Sequence, residues 1–193
     1  DTPTPIINLT AIGTLTEANI GAEVSVQGEV IAAASFSKGF TFTLDDGTGQ
    51  IELLMWHNVY DDCWDALGIN LGAEVQATGE VGLYEGTLQI EPNFGGDVKA
   101  ITGAKATAPV REIGSLSGGD EGSRVMIEGQ VLRVEGLSSA VKVSLGDETG
   151  EVVVFIWRNV LDRIVDNTGL GTEGSRVRVV GTVGIYRSNL QVA

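Results

Sequence analysis

The side chains best suited to catalysis or metal binding are scarce in this chain. Its 193 residues include one cysteine, Cys63, and one histidine, His57. Zinc sites built from Cys and His need several such ligands, and any Cys–His or Ser–His–Asp arrangement has only this one imidazole to use. No glycine-rich phosphate loop precedes a helix, and no loop has the spaced oxygen ligands of a calcium site. We therefore expect a protein that is not an enzyme and that carries no metal or other cofactor.

Aromatic side chains, in contrast, recur at a constant spacing. Trp56 and Trp157 are 101 residues apart, and Tyr84 and Tyr186 are 102 residues apart. Exposed aromatic rings stack on the bases of single-stranded nucleic acids. The other interpretation is structural, because tryptophan usually buries most of its ring and a tyrosine can shield the end of a barrel. The sequence leaves both interpretations open.

Cations accompany these aromatics mainly in the second half of the chain. Residues 111–193 carry nine Lys or Arg against eleven Asp or Glu, whereas residues 1–110 carry three against fifteen. The candidate nucleic-acid-binding residues of the second half are Trp157, Tyr186, Phe155, Lys142, Arg158, Arg178 and Arg187. Those of the first half are Trp56, Tyr84, Phe36 and Lys38. Ordinary surface charge is the alternative explanation for the basic residues.

The constant spacing arises from an internal duplication. Ile12–Leu15 aligns with Ile113–Leu116 at a shift of 101 residues, and Leu44–Gly49 aligns with Leu145–Gly150 at the same shift. One residue is inserted near Gly171, after which the shift is 102. A period of this length predicts two domains of the same fold, because the units of solenoid proteins are much shorter.

The duplication also defines the expected domain boundaries. We predict a first domain over residues 6–101, a linker rich in small residues over 102–109, and a second domain over 110–193. The first domain ends in a tail, residues 92–101, that the second copy lacks. Three apolar residues of this tail should pack on a barrel or between the domains: Phe94, Val98 and Ile101.

Alternation of apolar and polar residues predicts five strands in each copy. In the first copy these strands lie around Val24–Val30, Phe40–Leu44, Gln50–Trp56, Val75–Val81 and Leu88–Ile90. The third strand should turn its alternate residues outward, namely Glu52, Leu54 and Trp56 in the first copy and Val153, Phe155 and Trp157 in the second. In the turn that precedes this strand, Asp46 and Asp147 should accept hydrogen bonds from turn amides.

One helix is expected between the third and fourth strands. Asn58 stands where an N-cap is needed, and Val59, Cys63 and Leu67 then recur at helical spacing. The second copy repeats this pattern with Asn159, Val160 and Ile164.

This order of elements resembles the OB-fold. The matching segments are Gly28–Val30, Leu44–Gly49, Gly79–Val81 and Leu88–Ile90. More narrowly, the chain is similar to the nucleic-acid-binding branch typified by the anticodon-binding domains of class II aminoacyl-tRNA synthetases. The resemblance implies an all-β protein of two tandem five-stranded OB-fold Greek-key barrels, each with one helix between strands 3 and 4. It also implies a ligand groove over strands 2 and 3, flanked by the loops that join strands 1–2 and 4–5.

Two functions are compatible with these features. The resemblance implies a non-catalytic module that binds single-stranded DNA or RNA through the strand 2–3 face. The charge distribution predicts that this binding is weak and involves mainly the second domain. The net charge of −14 and the pI of about 4.3 oppose charge-driven binding of nucleic acid. The alternative is a protein- or glycan-interaction module of a larger secreted or cell-surface protein. We expect no membrane insertion and slightly favour an extracytoplasmic location; the sequence does not indicate an oligomeric state.

Overall fold

The computed structural model of the protein describes residues 8–103 and 108–193. The chain divides into two compact units, residues 1–106 and 107–193, which we call unit 1 and unit 2. Residues 104–107 of the predicted linker and residues 6 and 7 of the predicted first domain lie outside the described residues. The domain boundaries therefore stay a prediction.

The described residues of unit 1, 8–103, form six strands. They are β1 (Glu23–Phe36), β2 (Gly39–Asp45), β3 (Gln50–Trp56), β4 (Glu74–Tyr84), β5 (Thr87–Glu91) and β6 (Val98–Thr102). The sheet order is β1–β2–β3–β5–β4–β6, and β1 also pairs with β4, so the first five strands close into a barrel. Alternate residues of these strands fill the interior, because successive side chains point to opposite faces of a strand. The barrel core includes the fully buried Leu44, Leu53 and Ile90.

Over residues 108–193, unit 2 repeats this arrangement with five strands. They are β7 (Arg124–Gly136), β8 (Ala140–Gly146), β9 (Glu151–Trp157), β10 (Arg176–Tyr186) and β11 (Asn189–Val192). They form a closed barrel in the order β10–β11–β9–β8–β7. The predicted all-β class and the two barrels are thus confirmed.

A glycine in the first strand of each barrel allows that strand to bend closely over the second. A Cβ atom at Gly129 would lie 2.6 Å from the carbonyl oxygen of Gly146, and one at Gly28 would lie 2.9 Å from that of Asp45. Real Cβ atoms do not approach a backbone oxygen so closely. The duplicated glycine is therefore required by strand packing.

The helix between strands 3 and 4 is present in both units but shorter than predicted. The helix α1 spans His57–Asp62 and α2 spans Arg158–Leu161. The prediction that Asn58 caps α1 is wrong, because the N-cap residue is Trp56, the last residue of β3. The first helical N–H, that of His57, instead donates to the carbonyl of Lys38 at 2.9 Å. Leu67 lies beyond the helix and is 67% exposed.

The predicted tail of the first copy forms β6. This strand pairs with the first half of β4, and Val98 is buried there with 2% exposure. Phe94 and Ile101, which we also expected to pack, remain 69% and 47% exposed. Among the described residues, no helix has the length and apolar character needed to cross a membrane.

One aspartate fastens the turn between the second and third strands in each unit. In unit 2, Asp147 Oδ1 accepts the N–H groups of Thr149 and Gly150 at 2.7 and 3.0 Å and the Thr149 hydroxyl at 2.6 Å. Asp147 Oδ2 accepts the N–H of Ile113 at 2.8 Å. Unit 1 has the same bonds from Asp46 to Thr48, Gly49 and Ile12. The predicted capping of turn amides is confirmed, and the turn is also tied to a segment 34 residues away.

These hydrogen bonds change the acidity of both carboxyl groups. Burial by itself would raise the pKa of Asp46 and Asp147, because it disfavours the charged form. The hydrogen bonds from the threonine, the turn amides and the distant isoleucine outweigh this effect. Together they lower the pKa of each carboxyl from 3.8 to about 2.

The hairpin between the last two strands of each barrel turns through left-handed backbone. In unit 1 the two turn residues are Glu85 (φ 48°) and Gly86 (φ 84°). In unit 2 they are Arg187 (φ 47°) and Ser188 (φ 66°). Two-residue hairpin turns with positive φ at both positions favour glycine at the second, because a Cβ atom is crowded there.

We therefore expect Ser188→Gly to stabilise unit 2. The relief of left-handed strain exceeds the entropy that glycine adds to the unfolded chain, leaving a net gain of roughly 0.5–1 kcal/mol. Urea unfolding measures this gain. The reverse change in unit 1, Gly86→Ser, is the matched control and should destabilise by a similar amount; a Ser188→Gly variant no more stable than the parent would contradict the strain.

Candidate nucleic-acid interface

The outer side of β8 and β9 carries the aromatic candidates of unit 2. Buried and more accessible residues alternate along β9, with Val152, Val154 and Ile156 inside and Val153, Phe155 and Trp157 outside. Trp157 is 46% exposed, and Phe155 is half-buried. We call the outer surface of these two strands the β8–β9 face.

Phe155 and Trp157 are in direct contact on this face. Their ring centroids are 4.9 Å apart and their planes are nearly perpendicular, at 86°. Such edge-to-face packing is favourable and restricts the orientation of both rings. Trp157 is thus partly packed, as the structural interpretation required, yet nearly half of its surface is accessible to a ligand.

A cation lies beside the aromatic pair. Lys142 on β8 is the cross-strand partner of Phe155, and its other neighbour is Glu135 on β7. Side chains that are directly opposite on one face of an antiparallel pair lie close together. The β8–β9 face therefore places a lysine directly across from one residue of the aromatic pair.

Arg158, the first residue of α2, directly follows β9 and already makes hydrogen bonds within the protein. Its Nε and Nη2 donate to the carbonyl of Leu137 at 3.2 and 3.0 Å, and its backbone N–H donates to Ser139 at 2.9 Å. These bonds tie α2 to the loop that joins β7 and β8. Arg158 thus holds that loop beside the face while its guanidinium remains at the exposed surface.

Tyr186 and Arg187 form a second exposed group, in the hairpin between β10 and β11. Tyr186 is 54% exposed, and the Arg187 guanidinium carbon lies 5.3 Å from the centre of its ring. This distance is within the range of a cation–π contact. The hairpin corresponds to the loop that was expected to flank the groove.

Arg178 is not brought to this face. It lies on β10 and pairs with Glu128 on β7, with Nη2 and Nε at 2.5 and 2.6 Å from the carboxylate oxygen Oε1. Glu128 is seven residues before Glu135, the β7 neighbour of Lys142, which is a path of about 23 Å along the strand. A direct role of Arg178 beside Trp157 finds no support in this geometry.

The corresponding face of unit 1 differs in charge and in accessibility. Trp56 is 38% exposed and makes an edge contact with Phe36 at 5.6 Å, while Leu54, which we expected outside, is buried. Thr41 and Glu52 occupy the positions of Lys142 and Val153. Tyr84 is 62% exposed in its hairpin, and Lys38 is exposed in the loop between β1 and β2.

Arg133 on β7, beside the β8–β9 face, is a residue that the sequence analysis missed. A register shift between Val131 and Arg133 reorients the second half of β7, so that Arg133 becomes the neighbour of Ser144 on β8. Its guanidinium lies 4.0 Å from Glu135, with 73% of the side chain exposed. The sequence signal for the outward orientation of Arg133 was the apolar Val134 between two charged residues. The position of the bulge, however, cannot be read from the alternation of apolar and polar residues.

Comparison with known families agrees with this fold. Residues 24–94 match the sequence model of the family tRNA_anti-codon, described as the OB-fold nucleic acid binding domain. The matched residues form the barrel of unit 1, which has the OB-fold architecture. Unit 2 repeats its strand order and its closed barrel, so the chain is a tandem pair of OB-folds. The resemblance to the nucleic-acid-binding branch of the OB-fold that was inferred from the sequence is thereby confirmed.

Individual relatives match only in part. The CST complex subunit STN1 of Arabidopsis thaliana is 30% identical over 90 residues, which cover 37% of this chain and 56% of that protein. The chain thus spans a little over half the length of this relative. Asparaginyl-tRNA synthetase from Pyrococcus horikoshii is 17% identical, with a TM-score of 0.47 over 54% of this chain and 26% of its own. A replication protein A heterotrimer bound to ssDNA is 19% identical, with a TM-score of 0.34 over 43% and 59% of the two chains.

Proposed function

We propose that this tandem OB-fold protein binds single-stranded nucleic acid weakly through the β8–β9 face of unit 2. The observation that carries the proposal is the Phe155–Trp157 pair, in which Trp157 is exposed and Lys142 lies opposite Phe155. Stacking of a base on an aromatic side chain contributes about 1–3 kcal/mol and tolerates any base. An ammonium group beside the rings can meet the phosphate that joins two stacked bases.

Charge favours unit 2 over unit 1 as the binding domain. The cations of residues 111–193 nearly balance the acids, whereas residues 1–110 have a net charge of −12. On the face itself, unit 2 presents Lys142 where unit 1 presents Thr41, and unit 1 adds the carboxylate of Glu52. Unit 2 also presents Glu151 on the outer side of β9, where unit 1 has Gln50, so the two charged residues of this face balance. Phosphates are therefore repelled less by unit 2 than by unit 1.

In this proposal, different side chains of unit 2 stack on bases, contact phosphates and position the β7–β8 loop. Trp157 and Phe155 provide the stacking surface on the strands, and Tyr186 provides a second one on the hairpin. Lys142 and Arg187 contact phosphates, since each stands beside an aromatic ring. Arg158 acts mainly by holding the β7–β8 loop in place. With so few cations on an acidic protein, the binding is weak and depends chiefly on stacking.

The direct test is fluorescence anisotropy with labelled oligothymidylate and oligouridylate of roughly 12 nucleotides, within the usual site size of one OB-fold. Binding of the full chain to both oligonucleotides, and weaker binding to a duplex, is the expected result. No binding to any single strand at high micromolar protein and low salt would overturn the proposal.

The salt dependence of binding tests the role of Lys142. Each phosphate neutralised on a single strand contributes about 0.7 to the slope of log affinity against log salt concentration. Lys142→Gln should therefore lower the slope by about 0.7 and weaken binding at low salt. Lys99→Gln, the same change on an exposed residue of unit 1, is the matched control and should leave the slope unchanged; equal effects of the two variants would contradict a contact at Lys142.

A further inference from the structure

Three large apolar side chains are exposed around the end of α1 in unit 1. Trp64, two residues after the helix, is 100% exposed, Leu67 is 67% exposed, and Phe94 is 69% exposed. Phe94 comes to this place because the buried Gly95 packs against the helix end, where a Cβ atom would collide with the carbonyl of Asp62. We call Trp64, Leu67 and Phe94 the Trp64 surface. Clustered exposed apolar side chains commonly mark a site of interaction.

The loop that carries Trp64 is fixed on both sides of the tryptophan. The Cys63 thiol donates to the carbonyl of Val98 at 3.5 Å, and Asp65 Oδ2 accepts the N–H of Ala100 at 3.2 Å. Val98 and Ala100 belong to β6, so both neighbours of Trp64 are attached to the edge of the barrel. A structured loop thus holds the ring outward, and little ordering of the protein is needed when a partner covers it.

The OB-fold itself does not require a tryptophan at this place. The counterpart of Trp64 in unit 2 is Val165, which is 81% exposed, and the counterpart of Leu67 is Thr168. As a fully exposed side chain, Trp64 adds nothing by burial to the barrel core. Tryptophan is, in contrast, among the residues that contribute most to binding at protein interfaces. The ring therefore suits an intermolecular contact.

Aspartates surround the Trp64 surface. Three lie within three residues of Trp64 and a fourth lies three residues after Phe94: Asp61, Asp62, Asp65 and Asp97. Residues 57–70 and 92–101, which form this part of unit 1, contain a single lysine, Lys99, and no arginine. Such a surface repels a nucleic acid, and it repels a second copy of this chain, whose net charge is −14. Positive charge is what complements it.

We propose that the Trp64 surface binds a basic segment of a protein partner, in which arginine or lysine accompanies apolar residues. A guanidinium or ammonium group can lie over the face of the Trp64 ring and pair with the neighbouring carboxylates. An apolar side chain of the same segment can cover Leu67 and Phe94. The proposal does not depend on nucleic-acid binding, because the face assigned to nucleic acid belongs to unit 2.

Selection of short random peptides displayed on phage, with the full chain as the target, tests the chemistry of the partner. The enriched peptides should combine arginine or lysine with apolar residues. They should bind Trp64→Ala at least about tenfold more weakly than the parent, as expected for an anchor residue. Val165→Ala, the same kind of change at the matched position of unit 2, should leave binding unchanged. Failure to enrich any peptide, enrichment of uncharged or acidic peptides, or equal effects of the two variants would overturn the proposal.

The fluorescence of Trp64 locates the contact directly. A Trp56→Phe/Trp157→Phe background leaves Trp64 as the sole tryptophan. Its emission should move to shorter wavelength when an enriched peptide that contains no tryptophan covers the ring. An unchanged emission on binding would place the peptide elsewhere and contradict the proposal. The same shift on adding vesicles of anionic lipid, or a dimer that Trp64→Ala dissociates in sedimentation, would assign the surface to a membrane or to a second copy instead.

A pair of charge variants separates this surface from general attraction to an acidic protein. Asp62→Asn should weaken the enriched peptides roughly two- to fivefold, the effect of one exposed charge pair. Glu148→Gln removes one negative charge from an exposed turn of unit 2 and should have no such effect. Equal weakening by both variants would show that the peptides respond only to the net charge of the protein, and the proposed site would be wrong.

Discussion

Trp157→Ala is expected to reduce the affinity of the protein for oligothymidylate by roughly 5- to 150-fold, the loss of about 1–3 kcal/mol of stacking on one base. The ring is 46% exposed and is held by its edge contact with Phe155, so little reorganisation is needed before a base can stack on it. Fluorescence anisotropy at constant salt measures the change. The fold should survive, because the ring lies outside the barrel core.

The chain contains two tryptophans that serve as controls for this variant. Trp64 is fully exposed in unit 1 and lies outside any strand, so Trp64→Ala should leave binding unchanged. Trp56 is the duplicated counterpart of Trp157, but it lies in the acidic unit; Trp56→Ala should cost less than Trp157→Ala. If Trp56→Ala causes the larger loss, unit 1 is the binding domain and our assignment of the site is wrong. If neither Trp56→Ala nor Trp157→Ala lowers the affinity for oligothymidylate, bases do not stack on these tryptophans.

Asp147→Asn should destabilise unit 2 by about 2–3 kcal/mol, because hydrogen bonds to a carboxylate are strong and an unpaired turn amide is costly. One side-chain oxygen of Asp147 accepts three bonds from the turn, and the other accepts the N–H of Ile113. The amide group of asparagine replaces one of these acceptors by a donor that faces another donor. Urea unfolding of a Trp56→Phe/Trp64→Phe background reports on unit 2 alone, since Trp157 is then the sole tryptophan.

The same aspartate makes the stability of unit 2 depend on pH in the acid range. Its pKa falls from 3.8 to about 2 on folding, so the folded state binds fewer protons than the unfolded state between these values. The stabilisation is complete above pH 3.8 and disappears as the pH falls towards about 2. Asp147→Asn should flatten this part of the stability profile, whereas Asp46→Asn, the matched change in unit 1, should leave it intact. A variant as sensitive to acid as the parent would contradict the role of Asp147.

Several features of the protein follow directly from the sequence. The duplication specifies two domains of one fold, because identical turn and core residues recur in one register. Strict alternation places Phe155 and Trp157 on the outside of β9 without any coordinates, since a strand has a side-chain period of two. The role of Asp147 in its turn also follows from the sequence, because an aspartate two residues before Thr-Gly can accept hydrogen bonds from the amides of its own turn. These conclusions rest on local rules, and the tertiary structure of the protein is consistent with them.

Other features depend on contacts between residues far apart in the sequence. Asn58 is a good cap by type, yet the helix begins at His57 because the carbonyl of Lys38 takes the first helical N–H. The bulge in β7 places Arg133 beside the β8–β9 face. The pairing of β7 with β10 brings Arg178 to Glu128, with which it forms an ion pair, and not to Trp157. The tail of the first copy becomes a strand because an edge of β4 is available beside it. Each of these features depends on a hydrogen bond, a strand pairing or an ion pair between segments that are far apart in the sequence. Only the tertiary structure decides which of these pairs form.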